Sequence, residues 1–259
     1  MLLTVLGEFV LPAGGAAWTA TLVQSMAAIG IAEKNARQAI ARLADQGLIV
    51  SHRAGRRVRW QLSDDGRALL TQGAARIYGF LTERATWDGR WLVVTFSVPE
   101  EQRARRHLLR QQLGFAGFGF PGAGVAVSTH LDREAVAVAA LRNLGIDDGA
   151  MVFRGEAGAL AGDAELVRRA WDLDDLGRSY EQFLQRFGGL RPDGEREALA
   201  ALTHLVHEWR RFPFVDPELP ADLLPAGWPG QRARQLFDGC HSEWVAPARA
   251  WFAAADRVD

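Results

Sequence analysis

The chain has 259 residues, 30 basic and 31 acidic side chains, and 48% hydrophobic residues. That balance suits a soluble globular protein of one to three domains and excludes disordered, collagen-like and coiled-coil classes. No apolar stretch approaches the roughly 18 residues that span a bilayer, and the single cysteine, Cys240, excludes an internal disulfide or a Cys-rich metal site and fits a reducing cytoplasm. The net charge of −1 conceals a gradient: residues 1–62 sum to +4, residues 63–160 to zero, and residues 161–259 to −5. The first segment is therefore the one suited to a polyanion.

In chain order, the apolar start from Met1 to Leu11 reads as a first helix rather than a leader, because no Lys or Arg precedes Lys34 and Glu8 interrupts the run. Thr19 stands where an N-cap belongs, and Leu22, Val23, Met26 and Ile29 mark one face of a short helix that stops at Gly30. A second helix over Glu33 to Gln46 places Ala36, Ala39, Ile40 and Leu43 on one side. Lys34, Asn35, Gln38 and Arg42 lie on the other, with Arg37 beside them. Asn, Gln and Arg are the side chains that read base edges and phosphates, and Gly47 ends the helix as a C′ residue. The period then changes. Leu48 to Arg53 is strand-like, Ala54 to Arg57 turns, and Val58-Arg59-Trp60-Gln61-Leu62 alternates. A helix, a tight turn, a second helix and a hairpin with arginines at its tip form the pattern of a winged helix-turn-helix. The expected DNA contacts are Lys34, Asn35, Arg37, Gln38, Arg42, Arg53, Arg56, Arg57 and Arg59, with Trp60 packed beneath the wing.

Asp64 to Thr82 reads as a connecting helix. Beyond it come strand Trp91 to Ser97, helix Glu101 to Leu113, strand Ala116 to Phe120, a Pro121-Gly122 turn, strand Val125 to Ser128, helix Arg133 to Leu144 and strand Met151 to Glu156. This βαββαβ order predicts a ferredoxin-like domain, a fold that does not by itself name a function. Within it Arg103, Arg106 and Arg110 share one helix face opposite Ala104, Leu108 and Leu109, as a solvated face or an anion site. From Gly162 the chain turns helical, acidic and tryptophan-rich. Helices are expected near Ala164 to Asp172, Leu176 to Phe187, Glu195 to Phe212 and Gly230 to Ala255, joined by a Pro-rich link over Pro213 to Pro229. Its tryptophans, Trp209 and Trp228 among them, suit a core or an apolar ligand pocket. His204, His207 and Glu208 have the spacing of metal ligands on a helix, but no further ligand cluster joins them, so neither a metal nor another cofactor is expected.

The fold class is thus α+β, with an N-terminal winged helix-turn-helix domain (1–70), a linker helix (71–88), a ferredoxin-like domain (89–160) and a helical C-terminal domain (161–259). Several segments carry a family resemblance. Leu6-Gly-Glu-Phe-Val-Leu-Pro, Arg37-Gln-Ala-Ile-Ala-Arg-Leu, and Gly55-Arg56 ahead of Trp60-Gln-Leu-Ser resemble the first domain of the PaaX family of phenylacetate-catabolism repressors. Trp91-Leu-Val-Val-Thr-Phe-Ser-Val-Pro-Glu and the arginines after it resemble the middle domain. The run from Arg210 to Gly230, with its Asp-Pro, Leu-Pro, Leu-Leu-Pro and Trp-Pro-Gly steps, resembles the C-terminal signature, so the match covers nearly the whole chain. Trp60 stands where the family pattern has Tyr.

The resemblance implies a cytoplasmic, homodimeric repressor that binds a double-stranded operator and is released by an aryl-coenzyme A thioester such as phenylacetyl-coenzyme A. For such a ligand Trp209 and Trp228 are candidates for the acyl end and Arg103, Arg106 and Arg110 for the phosphates. The apolar first helix, through Leu2, Leu3, Leu6 and Phe9, and the acidic C-terminal region are the candidate dimer contacts. The rival reading is a metal-dependent nuclease, because the family's middle domain resembles the small CRISPR-associated endoribonucleases, which hold a metal on an aspartate at the end of the first strand. Here that strand ends Phe96-Ser97-Val98-Pro99-Glu100, without an aspartate, and hard oxygen ligands at the phosphate are what such chemistry needs. No nucleophilic triad and no phosphate-cradling glycine loop is present, so catalysis is not expected.

Overall fold

Each switch of hydrophobic period along the chain marks a change of element in the computed structural model, which describes residues 1–82 and 86–257. In chain order the elements are α1 (Leu2–Val5), continued by a π-helical turn over Leu6–Val10, then β1 (Ala16–Trp18), α2 (Thr19–Ala28), α3 (Glu33–Asp45), β2 (Ile49–Ala54), β3 (Arg57–Leu62) and α4 (Asp64–Gly79). There follow β4 (Trp91–Phe96), α5 (Arg103–Phe115), β5 (Gly119–Gly122), β6 (Val125–Ser128), α6 (Glu134–Asn143) and β7 (Ala150–Gly155). The remainder is helical: α7 (Asp163–Ala170), α8 (Leu173–Phe187), α9 (Glu195–Trp209), α10 (Phe212–Val215) and α11 (Gly230–Arg257). The chain is therefore a mixed α+β protein with two small antiparallel sheets and a helical C-terminal region.

The elements gather into two compact units, neither of them continuous. Met1–Phe80, Gln182–Arg210 and Arg232–Asp259 make the first; Leu81–Glu181 and Arg211–Gln231 make the second. Residues 161–259, read from sequence as one helical domain, contribute to both units. Residues 83–85, inside the segment read as a linker helix, lie outside the described residues, and α4 ends at Gly79, before Thr82.

In the first unit the apolar start of the chain is core. Leu2, Val5, Leu6, Phe9 and Val10 are buried, and Phe9 stacks on Phe252 of α11 with ring centroids 5.5 Å apart. Trp209 has no exposed surface and packs among Phe80, Phe183 and Phe237. The end of α4 is closed by side chains. Trp209 donates its indole N–H to the Ile77 carbonyl at 3.2 Å, and the Arg234 guanidinium donates to the carbonyls of Tyr78 and Phe80 at 2.8 and 2.6 Å. These are carbonyls that a helix terminus leaves without an intrahelical partner. Asp238 in turn accepts from Arg234 at 2.7 Å. At the start of α4, Gly66 lies against the Leu48 carbonyl so closely that a Cβ there would sit 2.0 Å from the oxygen.

The four-stranded sheet of the second unit runs β5-β6-β4-β7, every neighbouring pair antiparallel. Leu92, Val94 and Phe96 face Leu109 and Leu113 of α5 and Ala137, Ala140 and Leu141 of α6. Two details differ from the sequence reading. Pro121 and Gly122 belong to β5, and the turn falls on the next two residues. Leu108, expected on the apolar side of α5, is 44% exposed, so Leu109 and Leu113 are the buried residues of that helix. Against β5, Trp171 lies on Gly119, where a Cβ would come within 2.4 Å of the indole. Tyr180 stacks on Phe212 at 4.1 Å and donates to buried Asp216 at 2.6 Å.

A buried carboxylate ties three elements of the first unit together. Glu8, in the π-helical turn, accepts a short hydrogen bond from the Tyr78 hydroxyl of α4 and lies 3.1 Å from Nε2 of His241 in α11. Burial, and then the neighbouring Glu8 charge, push the Tyr78 phenol well above its ordinary value of 10.0. A raised folded-state value means that the stabilisation is fully present below the unfolded pKa of about 10 and is lost as pH rises through the folded one. Tyr78→Phe is expected to lower stability at neutral pH by about 1–3 kcal/mol, because Glu8 loses a donor. Denaturant titrations should also find the gap between wild type and variant closing above pH ~10. A gap that stays constant there would contradict this role for the phenol.

Candidate nucleic-acid interface

The link between α2 and α3 turns on Gly30, at φ +79°, with the Ile31 N–H bonded back to the Met26 carbonyl at 2.9 Å. Ala36, Ile40 and Leu43 bury one side of α3, while Lys34, Asn35, Arg37, Gln38 and Arg42 are all exposed on the other. Arg37 pairs with Glu33 one turn earlier at 2.8 Å, both side chains more than half exposed, a contact worth little in water. The helix stops at a Schellman motif. Gly47, at φ +72°, donates to the Ala44 carbonyl and Leu48 to the Leu43 carbonyl, both at 2.9 Å. That turn aims the chain into β2.

β2 and β3 pair in register from Ile49–Leu62 to Ala54–Arg57, and Arg53, Arg56 and Arg57 are exposed at and around the Gly55 turn. The connection preceding α2 is more ordered than the sequence implied. Ala16–Trp18 forms β1, which adds to β3 and makes a three-stranded sheet. Thr19 begins α2 but makes no capping hydrogen bond. Its hydroxyl donates to the Val58 carbonyl at 3.0 Å and accepts from the Trp60 indole at 2.9 Å. Trp60 is therefore partly buried and turned toward α2, in line with packing beneath the hairpin.

Arg57 and Arg59, two apart on β3, both stack over Trp18, at 5.6 and 5.3 Å. Arg59 differs from the other candidate contacts because it is only partly exposed and lies 3.6 Å from Asp256 near the end of α11. The same carboxylate accepts the Trp18 backbone N–H at 2.9 Å, and the neighbouring Ala255 carbonyl accepts the Thr21 hydroxyl at 3.3 Å. Sequence reasoning missed this tether, since the partners are 238 residues apart and a lone Asp near a helix end gives no signal.

The candidate effector residues are dispersed. Trp209 is in the core of the first unit, whereas Trp228, Arg103, Arg106 and Arg110 belong to the second. Trp228 packs edge-on against Tyr180 at 6.0 Å. Arg106 pairs with Glu100 at 2.9 Å, and Arg110 lies over the Phe120 ring at 4.0 Å. A cavity of about 1040 Å³ in the second unit is lined by Trp87, Val167, Arg168, Trp171 and Leu224, among others. Glu208 is taken up by Arg186 and His207 by Thr4. Burial, and then nearby Arg186, lower the pKa of His204. Among the described residues no group of three His, Cys, Asp or Glu side chains is placed to hold a metal ion.

Residues 1–66 match the PaaX-like protein family, residues 84–167 the PaaX protein central Cas2-like domain, and residues 171–254 the PaaX-like protein C-terminal domain. The chain is 31% identical over 251 residues to the transcriptional repressor PaaX of Escherichia coli K12, covering 92% of this chain and 77% of that protein. In fold it is similar to the uncharacterized protein Rv0674 from Mycobacterium tuberculosis, with a TM-score of 0.61 at 22% identity and 90% of each chain covered.

The Asp256 tether has a measurable consequence. Asp256→Ala removes the acceptor of the Trp18 N–H and the carboxylate beside Arg59. It is expected to cost about 1–2 kcal/mol and to speed amide exchange at Trp18 and along β3. Unchanged exchange there would mean that the sheet holds its position without α11.

Proposed function

The chain belongs to the PaaX-like family of transcriptional regulators, and from that premise we propose that it is a repressor of an aromatic-acid, phenylacetate-type catabolic pathway, reading its operator with residues 1–70 as a winged helix-turn-helix. The observation that carries this reading is the exposed face of α3 together with the arginine-bearing tip of the β2–β3 hairpin. Asn35, Gln38 and Arg42 suit base edges in the major groove, and Lys34, Arg37, Arg53, Arg56 and Arg57 suit phosphates. Arg59 has a lesser part, since Asp256 competes for it. Residues 89–160 are the ferredoxin-like module of the same scheme, supported by the antiparallel β5-β6-β4-β7 order and the helices α5 and α6 on one sheet face.

Replacement of Gln38 or Arg42 by Ala should cost on the order of 1–3 kcal/mol at the operator and relax base preference there. Replacement of Arg56 or Arg57 should instead weaken binding to every sequence and reduce the salt slope by about one unit per contact. Binding titrations across salt concentrations separate the two, and four variants with wild-type affinity would remove this face from the mechanism.

A homodimer follows from the length of DNA that a single module covers. Its contacts lie away from Leu2, Leu6 and Phe9, which the first unit uses as its own core. Relief by an aryl-coenzyme A thioester completes the reading. The acyl end is assigned to the cavity beside Trp87 and Trp171, because Trp209 has no surface to offer. Calorimetry with phenylacetyl-coenzyme A and with free phenylacetate, followed by operator titrations, tests this assignment. The thioester should bind more tightly, should weaken operator binding about tenfold for each 1.4 kcal/mol of coupling, and should lose affinity in Trp171→Ala. Equal affinities, or tight binding without an effect on DNA, would end the induction mechanism.

A further inference from the structure

Helix α5 has a charge pattern unlike that of any other helix. Among the described residues it is the one helix that carries basic side chains and no acidic one, with Arg103, Arg105, Arg106 and Arg110 joined by His107. Elsewhere exposed helical arginines are paired with an acid of their own helix: Glu33 holds Arg37, Glu165 holds Arg168 and Arg169, and Asp175 holds Arg178. That interleaving is what a merely solvated face looks like; α5 has its nearest acids, Glu100 and Glu101, only in the short turn that leads into it, and of these Glu100 pairs with Arg106. α5 even exceeds α3, whose three cations share their helix with Glu33 and Asp45.

The cations of α5 are also accessible. The helix is anchored through Leu109 and Leu113, which leaves Arg103, Arg105 and His107 exposed and Arg106 and Arg110 partly so. Arg103, Ala104, Arg106, His107 and Arg110 line a shallow groove of about 480 Å³ along the helix. Arg103 has no carboxylate partner among the described residues, and Arg105 only the Gln102 amide at 3.4 Å. One pair, Arg106 with Glu100, is partly neutralised. Arg110 is stacked on Phe120, which orients its guanidinium without neutralising it. From Arg103 to Arg110 the helix rises about 10 Å at 1.5 Å per residue, and each strand of duplex DNA offers a phosphate every ~3.4 Å of axis. The stripe thus matches about three consecutive phosphates.

We propose that α5 is a second, sequence-independent DNA contact, seating duplex backbone outside the segment read by α3 and the hairpin. The contact rests on the DNA-binding reading but not on the identity of the operator or of any effector. It gives the second unit a direct part in DNA affinity, through cations that carry no base information.

The test is made on the full-length protein with fluorescent duplexes of arbitrary sequence, one of about 40 base pairs and one of about 14, little more than the ~10-base-pair turn that one module covers. In the double variant Arg103→Gln/Arg110→Gln, the slope of log affinity against log salt on the long duplex should fall by about 0.9 for each lost contact, close to two for each protomer engaged. On the short duplex it should match wild type. Arg178→Gln, which removes an arginine of the second unit paired within its own helix, should leave both slopes unchanged.

An unchanged slope for the α5 variant on the long duplex, while Arg56→Gln lowers it, would overturn this proposal and leave the DNA-binding reading standing. An equal deficit on both duplexes, or an equal effect of Arg178→Gln, would also overturn it, the first by placing the stripe within the core contact and the second by reducing the effect to net charge. Failure of wild type to bind either duplex would remove both the reading and the contact built on it. All four arginine positions are exposed or partly exposed, and matching thermal unfolding of the variants confirms that affinity, not folding, has changed.

Discussion

The N-terminal module cannot close its own core, and the rest of the first unit is arranged around that constraint. Its first helix turns Leu2, Leu6 and Phe9 inward, and Phe9 finds its stacking partner on α11, near the other end of the chain. The same long helix supplies Arg234 to the end of α4, His241 to Glu8, and Asp256 to β1 and β3. A three-stranded sheet with two helices is small for an independent core. Here α9 and α11 supply the missing apolar surface, with Trp209 and Phe237 stacked 4.8 Å apart at its centre. The sheet that carries the hairpin is therefore held in part by residues more than 200 positions away.

Electrostatics divides the arginines into two populations. Arg168 and Arg169 of α7 and Arg178 of α8 lie within a turn of an acid and contribute little beyond local helix stabilisation. Those of the hairpin tip and of α5 have no acid in their own element, and their fields add, offset in α5 by the Glu100 carboxylate paired with Arg106. A near-neutral chain can in this way present two basic surfaces without an overall positive charge. The acids that balance them are concentrated in residues 161–259.

Much of this was legible in the sequence because it is local. The exposed face of α3, the stop at Gly47 and the arginines around Gly55 follow from helical period, from left-handed glycine geometry and from turn chemistry, all within a few residues. The βαββαβ order was legible for the same reason. What escaped was non-local. Ala16–Trp18 is too short to alternate visibly and becomes a strand only because β3 offers it an edge. Thr19 carries a capping residue's chemistry, yet its hydroxyl serves Trp60 and Val58, some 40 positions on. Trp209 was a plausible ligand aromatic by composition, and only packing reveals that it is wholly buried.

α11 carries Pro247 in its interior, close to Arg249, which donates to the Glu8 carbonyl at 3.3 Å. Proline removes one rung of the helical ladder. The point on α11 at which bending is easiest therefore lies between His241, which holds Glu8, and Asp256, which holds the sheet. Movement about Pro247 would change the hold on the hairpin while His241 keeps its place beside the Glu8 carboxylate.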